Sequence, residues 1–358
     1  MSAPTTASAW QIISKGPIPD VLERRDIELP KLKPSQVLVK VTHASLNPVD
    51  YKLAALVPSF VQKLPRTAAS DFSGIVLQLG SEALSKKYDW LRPEVAVFGT
   101  TPNLPPFKPW GALATYTVVE SSEIQPVPLQ SAAALHAGVS QESAAGLGIV
   151  SRTALAQVHY VHKGDRVFIN GGTTAVGLLA ADMALDKGAS LVVVTASGSK
   201  AEFVKKRGVH AAIDYRTVNL VEELPKRYSS EPFDVVLDCI GSSNLHAASP
   251  AFLKPGGVWC NIGATFLSPN TSVFSWETLS FALWNLRAWL PAALGGHARP
   301  LVPTDPLKIS WSDIHALLER GAIHPVVDKV FAFNETPDAY RYLIEGRALG
   351  KVVVQVSP

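Results

Sequence analysis

A strand–turn–helix unit between residues 167 and 185 constrains the fold more than any other stretch of the chain. Val167-Phe168-Ile169 reads as a short apolar strand, Gly171-Gly172-Thr173-Thr174-Ala175-Val176-Gly177 as a glycine-rich turn, and residues 177–185 as an apolar helix. Four more strand patterns follow at helix-length spacing: Leu191-Val192-Val193-Val194, Ala211-Ala212-Ile213, Val235-Val236-Leu237 and Val258-Trp259-Cys260-Asn261-Ile262. Their apolar residues are continuous rather than alternating, so both faces of each strand must be covered, which calls for helices on either side of a parallel sheet. Right-handed crossovers then make that sheet doubly wound.

The first third of the chain has another texture. Val37-Leu38-Val39-Lys40-Val41, Ser73-Gly74-Ile75-Val76-Leu77 and Val95-Ala96-Val97-Phe98-Gly99 are strand-like, with Asn47-Pro48 and prolines at 93, 102, 105, 106 and 109 as breaks. Short strands with Gly/Pro punctuation predict an all-β module of about 120 residues, closed near Pro126 and Pro128.

A strand, a glycine turn and a helix start are what a dinucleotide's pyrophosphate needs: a tight turn, close approach of backbone, and amides aimed at the phosphates. Gly171 supplies the turn, Gly172 stands beside it, and Gly177 lets the helix pack on the sheet. Thr174 stands where a middle glycine is usual; its Cβ crowds the approach, while its hydroxyl offers a donor to a phosphate oxygen. The end of the second strand selects the cofactor. An NAD site wants Asp or Glu there for the ribose 2′-hydroxyl. Instead the strand runs into Thr195-Ala196-Ser197-Gly198-Ser199-Lys200, with no acid before Glu202. Ser197 and Lys200, with Tyr215 at the end of the third strand, suit a 2′-phosphate, so NADPH is the expected cofactor. A solvated turn with a helix-start serine is the plainer alternative.

Composition removes several classes. Apolar residues make up 47% and charged residues 18%, too apolar for intrinsic disorder. Thirty-three Lys and Arg against 30 Asp and Glu leave +3 with no run of one sign, which offers no footprint for nucleic acid. Two cysteines, Cys239 and Cys260, are too few for a disulfide framework or a cysteine-rich zinc site. Residues 1–9 carry neither an apolar core nor arginines, so no targeting signal is read and a cytoplasmic location is expected.

Several stretches together carry a resemblance: Ala44-Ser45-Leu46-Asn47-Pro48-Val49-Asp50-Tyr51-Lys52, Ser70-Asp71-Phe72-Ser73-Gly74-Ile75-Val76, Gly111-Ala112-Leu113-Ala114-Thr115-Tyr116, the cofactor turn, Leu237-Asp238-Cys239-Ile240-Gly241, Leu253-Lys254-Pro255-Gly256-Gly257 and Gly350-Lys351-Val352-Val353-Val354. From about residue 10 to 356 the chain resembles the medium-chain dehydrogenase/reductase superfamily, in its zinc-free quinone oxidoreductase-like branch, near the fungal oxidoreductases and trans-acting enoyl reductases. The resemblance implies a GroES-like catalytic domain over 1–130, an inserted Rossmann domain over 131–300, and a return to the catalytic domain over 301–358. It implies an active site in the cleft between them. Asn47 and Asp50 would line the nicotinamide side, and Thr153 would approach the ring. Thr174, Ala175, Val176 and Gly177 would hold the pyrophosphate. Ile262, Gly263, Lys351 and Val352 would lie near the cofactor.

Departures from the family pattern sharpen this. Zinc members carry a Cys and a His-Glu pair where this chain has Asn47 and Ser70-Asp71, and the four-cysteine structural lobe is missing, so no metal is expected. Metal-free hydride transfer suits a quinone, an enone or an enoyl group. Tyr51 and Lys52 are the candidate donors to the developing oxyanion; a half-buried core Tyr and a surface Lys are the bland alternative. Mitochondrial-type enoyl reductases place a tyrosine acid where this chain reads Leu56-Val57-Pro58.

Residues 273–294 stand apart: Leu279, Ala282, Leu283, Leu286 and Leu290 share one helical face, Phe281 and Trp284 another. Glu277, Asn285, Arg287 and Pro291 argue against a membrane span. A buried or interface helix is the first expectation; a lid, or a surface for lipid or a partner chain, is the other. Two functions therefore stand: an NADPH-dependent reductase, monomer or homodimer, or a catalytically weak NADPH-binding protein acting through such a surface.

Overall fold

The computed structural model describes residues 4–57, 61–83, 88–101, 111–128, 139–263, 276–290, 294 and 296–357. Pro58, the prolines at 102, 105, 106 and 109, the expected boundary at 130, and the ends of the apolar segment (273–275 and 291–293) lie outside the described residues.

The first part of the chain contributes strands β1 (Thr6–Ile12), β2 (Leu22–Glu28), β3 (Gln36–Leu46), β4 (Arg66–Thr67), β5 (Asp71–Leu79), β6 (Ala96–Thr100), β7 (Tyr116–Glu120) and β8 (Ile124–Pro126), with helices α1 (Ile18–Val21) and α2 (Pro48–Leu56). Helices α3 (Gln141–Ala145) and α4 (Gly148–Val158) lead into the second part. There β9 (Arg166–Asn170), β10 (Leu191–Thr195), β11 (Ala211–Ile213), β12 (Phe233–Asp238), β13 (Leu253–Asn261) and β14 (Leu301–Val302) alternate with α5 (Ala175–Asp186), α6 (Lys200–Lys206), α7 (Leu220–Tyr228), α8 (Ser243–Ala248) and α9 (Trp276–Trp289). The chain closes with α10 (Trp311–Glu319), β15 (Val327–Ala332), α11 (Thr336–Ile344) and β16 (Lys351–Gln355).

The described strands of the second part pair in parallel, in the order β11-β10-β9-β12-β13-β14. Its two faces are both buried, as the continuous apolar strands require. Val167, Ile169, Val192, Val194, Val235 and Leu237 pack to one side with α4, α5 and α10. Phe168, Val193, Val236 and Trp259 pack to the other. Strand order reverses between β9 and β12, and a doubly wound sheet binds its ligand at the carboxyl ends beside that reversal.

In the catalytic part, β15-β16-β3-β5-β6-β8 form a mixed sheet with β7 on β3, and β2-β1-β4 a small separate one. The second core lies here, around Val39, Phe72, Val76, Val352 and Val354. The return to this part falls later than the expected 301. Leu301 still pairs with Trp259, and Trp311, Ile314, Leu317 and Leu318 fill the Rossmann core. Re-entry comes at β15, which pairs with β16, while β16 pairs antiparallel with β3.

Candidate functional site

Gly171 follows β9 in the left-handed region (φ +87°), which favours glycine. The turn is then held from β10: the Gly171 N–H donates to Thr195 Oγ1 (2.7 Å) and the Gly172 N–H to the Thr195 carbonyl (3.0 Å). A Cβ on Gly172 would stand 2.4 Å from Val194 Cβ, and one on Gly177 would stand 2.2 Å from the Gly171 carbonyl oxygen. Both glycines are thus required by close packing of turn on sheet and helix. Thr174 Oγ1 accepts from the Gly177 N–H (3.0 Å), which caps α5, and its hydroxyl proton goes to the Gly171 carbonyl (2.8 Å). The turn also meets the catalytic part, where the Gly350 N–H donates to the Thr173 carbonyl (3.1 Å). Ala175 and Val176 open α5 just beyond it.

Beside the turn lies a cavity of about 550 Å³ at the carboxyl ends of the strands, lined among others by Gly171, Thr174, Ser197, Lys200, Tyr215, Arg216, Asn219, Asn244 and Arg347. Ser197, Lys200 and Tyr215 are brought together here as expected. Arg216 and Arg347 join them unannounced. Among the described residues, three cations and no carboxylate line the cavity. The Lys200 ammonium bonds the Arg347 carbonyl and, at 3.3 Å, that of Ala348, both from the catalytic part. Asp214, near in sequence, is occupied: it accepts from the N–H groups of Gly198 (2.9 Å) and Arg216 (3.0 Å), which lower its pKa.

Asp238 organises the opposite wall. Fully buried at the end of β12, it accepts from Asn170 Nδ2 (2.9 Å) and from the N–H groups of Ile240, Gly241 and Ser242. Ile262 and Gly263 follow β13 alongside, and a Cβ on Gly263 would fall 1.9 Å from the Ile240 carbonyl carbon.

On the catalytic side Asn47 and Asp50 do not open onto a surface. They belong to a buried network. Asn47 Nδ2 donates to Asp71 Oδ2 (2.8 Å), and Lys351 Nζ donates to Asn47 Oδ1 (2.6 Å) and to Asp71 Oδ2 (3.3 Å). Asp71 Oδ1 accepts from the Ile149 N–H (2.9 Å) at the start of α4. Asp71 was not a candidate from sequence; it joins β3, β5, β16 and α4, and its neighbour Gly148 has no room for a Cβ, which would lie 1.9 Å from Asp71 Cγ. Burial lowers the Lys351 pKa, and the Asp71 charge opposes that shift. Val352 is buried next to Lys351, paired with Leu46. Thr153, half-buried on α4, donates to the Ile149 carbonyl (2.8 Å).

Asp50 Oδ2 accepts from the Asn47 N–H (2.9 Å), helping to cap α2, and from Tyr340 Oη (3.4 Å). Burial above all, with the Asp71 charge adding, pushes its pKa from 3.8 to about 7, against the Asn47 N–H. Between those values the folded state holds a proton that the unfolded chain has lost. The resulting stability is fully present below pH 3.8 and disappears as pH rises through about 7. Asp50→Asn should remove that slope. Denaturant unfolding at pH 5 and pH 8 should show the wild type losing about 2–3 kcal/mol relative to the variant. Parallel slopes would count against a protonated Asp50.

Tyr51 and Lys52 lie half-buried on α2. Desolvation, helped by the Asp50 charge, raises the Tyr51 pKa, so the phenol keeps its proton; desolvation lowers that of Lys52. Among the described residues no three His, Cys, Asp or Glu side chains gather as a metal cage, and no helix is long and apolar enough to cross a membrane.

A GroES-like sheet, a doubly wound sheet inserted into it, and a basic cavity beside a glycine turn together define a nucleotide-dependent oxidoreductase fold. Residues 33–129 match the alcohol dehydrogenase GroES-like domain and residues 207–354 the zinc-binding dehydrogenase family. The chain is 30% identical over 373 residues to the trans-enoyl reductase pgmF of Aspergillus terreus, covering 99% of this chain and 98% of that one. It is also 30% identical to a zinc-type alcohol dehydrogenase-like protein of Schizosaccharomyces pombe, over 98% of this chain and 97% of the relative. The quinone oxidoreductase of Coxiella burnetii superposes with a TM-score of 0.75 at 26% identity, over 98% of this chain and 100% of that one. The chain belongs to the medium-chain dehydrogenase/reductase superfamily, a family of oxidoreductases.

Proposed function

We propose that the protein is an NADPH-dependent, zinc-independent reductase of activated double bonds or quinones, acting in the cleft between the two sheets. The observation that carries the reading is the cavity with Lys200, Arg216 and Arg347 on its wall and no acid to hold a ribose diol. The glycine turn supports a pyrophosphate reading because it leads directly into the N-terminus of α5 beside the cavity. Zinc independence is supported by the donor set: where zinc members carry ligands, Asn47 and Asp71 are engaged with the Lys351 ammonium, a cation already neutralising the carboxylate. The relatives named enoyl reductase and quinone oxidoreductase support the substrate class.

In this reading Ser197, Lys200, Tyr215, Arg216 and Arg347 hold the 2′-phosphate, and the amides at the start of α5 the pyrophosphate. Bound NADPH supplies the hydride. Tyr51, held protonated, donates a hydrogen bond to the carbonyl oxygen as charge gathers there, with Lys52 beside it on α2. The Asn47–Asp71–Lys351 network ties the start of α2 to the start of α4.

The test is NADPH consumption by the purified protein across a panel of enones, quinones and enoyl thioesters, with and without a metal chelator. Turnover unaffected by the chelator is expected. No turnover on any member would overturn the enzymatic reading, and loss of activity with chelator would overturn zinc independence. Lys200→Ala should weaken NADPH by about 1–3 kcal/mol and leave NADH nearly unchanged, read by nicotinamide fluorescence. Equal losses for both cofactors would remove Lys200 from the phosphate site.

A further inference from the structure

Residues 347–351 run from the wall of the cofactor cavity to the buried network at the start of α2, and each of the five is fastened. Arg347 and Ala348 line the cavity. Their carbonyls both accept from the Lys200 ammonium, that of Ala348 at 3.3 Å. Ala348 packs on the core of the catalytic part, and Leu349, the next residue, on the Rossmann core. The Gly350 N–H donates to the Thr173 carbonyl in the glycine turn (3.1 Å), and the Lys351 N–H to the Val326 carbonyl (2.9 Å). The Lys351 side chain ends on Asn47 Oδ1 and Asp71 Oδ2, and Asn47 is the residue before α2.

The segment has little slack. Five residues span at most roughly 14 Å from first to last Cα. At Gly350 the backbone passes so close to Val326 that a Cβ would stand 2.4 Å from the Val326 carbonyl oxygen. Lys200 can grip the segment and a ligand together. An ammonium has three N–H donors. Two go to the Arg347 and Ala348 carbonyls, which among the described residues leaves the third for a phosphate oxygen. Arg347 pairs with Glu345 in the open, where such a pair is weak and yields to a phosphate dianion.

A 2′-phosphate sits far from the nicotinamide and takes no part in the chemistry. Contacts to a remote group still raise the rate of a reaction when their binding energy positions the reacting centre. Tyr51 and Lys52 stand on α2, one turn from Asn47. The fastened segment connects the two places: its first residue meets the phosphate and its last holds Asn47.

We propose, on the reading that the protein is an NADPH-dependent reductase, that residues 347–351 are a positioning strut. The 2′-phosphate, held by Lys200 and Arg347, sets the place of α2 through Lys351 and Asn47, so the phosphate governs the rate of hydride transfer as well as affinity. The test is single-turnover oxidation of saturating NADPH and of saturating NADH, followed by stopped-flow absorbance with the best substrate of the panel. Transfer from NADPH should be at least about fivefold faster, the lower end of a coupling between sites. Inorganic phosphate, at concentrations that compete with NADPH and at ionic strength matched with sodium chloride, should accelerate transfer from NADH. Arg347→Ala should abolish that acceleration. Leu349→Gly loosens the strut while leaving Lys200 and Arg347 in place. It should still bind NADPH, which reports that it folds, while the rate advantage of NADPH over NADH falls towards parity.

Equal single-turnover rates for the two cofactors in the wild type would overturn the strut and need no variant. So would competing phosphate that leaves the NADH rate unchanged. A Leu349→Gly protein slowed by one factor with both cofactors would overturn it too, because a residue that only holds the fold gives that result. Tighter binding of NADPH would survive any of these outcomes. No preference in binding, or no turnover with any substrate, would remove the reductase reading itself and the strut with it.

Discussion

Replacing Asp71 by alanine is expected to cost about 3–5 kcal/mol of stability, the range for breaking a buried ion pair from one side. The side chains of Asp71 and Lys351 are 0% and 4% exposed, and 3.3 Å separates Nζ from Oδ2. Without the carboxylate the ammonium stays buried with only the Asn47 and Leu46 oxygens, the Asn47 Nδ2 loses its acceptor, and so does the Ile149 N–H. Four elements of both parts of the molecule lean on one side chain. Urea unfolding measures the loss. Lys351→Met in the Asp71→Ala background should recover part of it, because the uncompensated charge is the main penalty. Gly148→Ala should destabilise through the same network, since its Cβ would lie 2.0 Å from Asp71 Oδ1. A loss below about 1 kcal/mol for Asp71→Ala, the scale of an ordinary exposed pair, would mean water reaches the pair and the network is not a joint.

Gly177→Val is expected to raise the NADPH dissociation constant at least about 100-fold, a little under 3 kcal/mol. Its Cβ would lie 2.2 Å from the Gly171 carbonyl oxygen and 3.0 Å from Gly172 Cα, both backbone atoms, so no side-chain rotation relieves it. The turn must move off the start of α5, and the Gly177 N–H must leave Thr174 Oγ1. Gly172→Val should act alike through Val194, and a fluorescence titration reads both. Gly164→Ala makes the control: Gly164 has a left-handed φ of +90° and a Cβ there meets nothing within 4 Å, so the substitution should cost stability without touching affinity. NADPH affinity unchanged in Gly177→Val would move the cofactor away from this turn.

Legibility in the sequence followed the range of the interaction. The glycine turn, the strand ends at Thr195 and Ile213, and the missing acid after β10 are local features, set by a few consecutive residues, and all three stand where the strand and turn signals put them. Thr174 stands where the turn signal put it, and its capping of α5 was not read from the sequence, because a residue before a helix is at once a candidate ligand and a cap. The Rossmann boundary was set too early because two-residue β14 is too short to leave a periodic signal.

Composition and pattern alone determined the doubly wound sheet, the β-rich partner domain and the nucleotide turn, since burial on both faces and backbone sterics act on consecutive residues. Only the tertiary structure decided the site's charge and the joint beneath it. Arg216 and Arg347 reach one cavity from segments more than a hundred residues apart. Asn47, Asp71 and Lys351 meet because β3 pairs with both β5 and β16. The same holds for α9: periodicity gave it an apolar stripe, but Trp276, Leu279, Leu283, Leu286 and Trp289 stand exposed rather than buried. Which face a helix turns to its own protein depends on what lies beneath, and beneath it lie His246 and Trp259 rather than space for five large side chains.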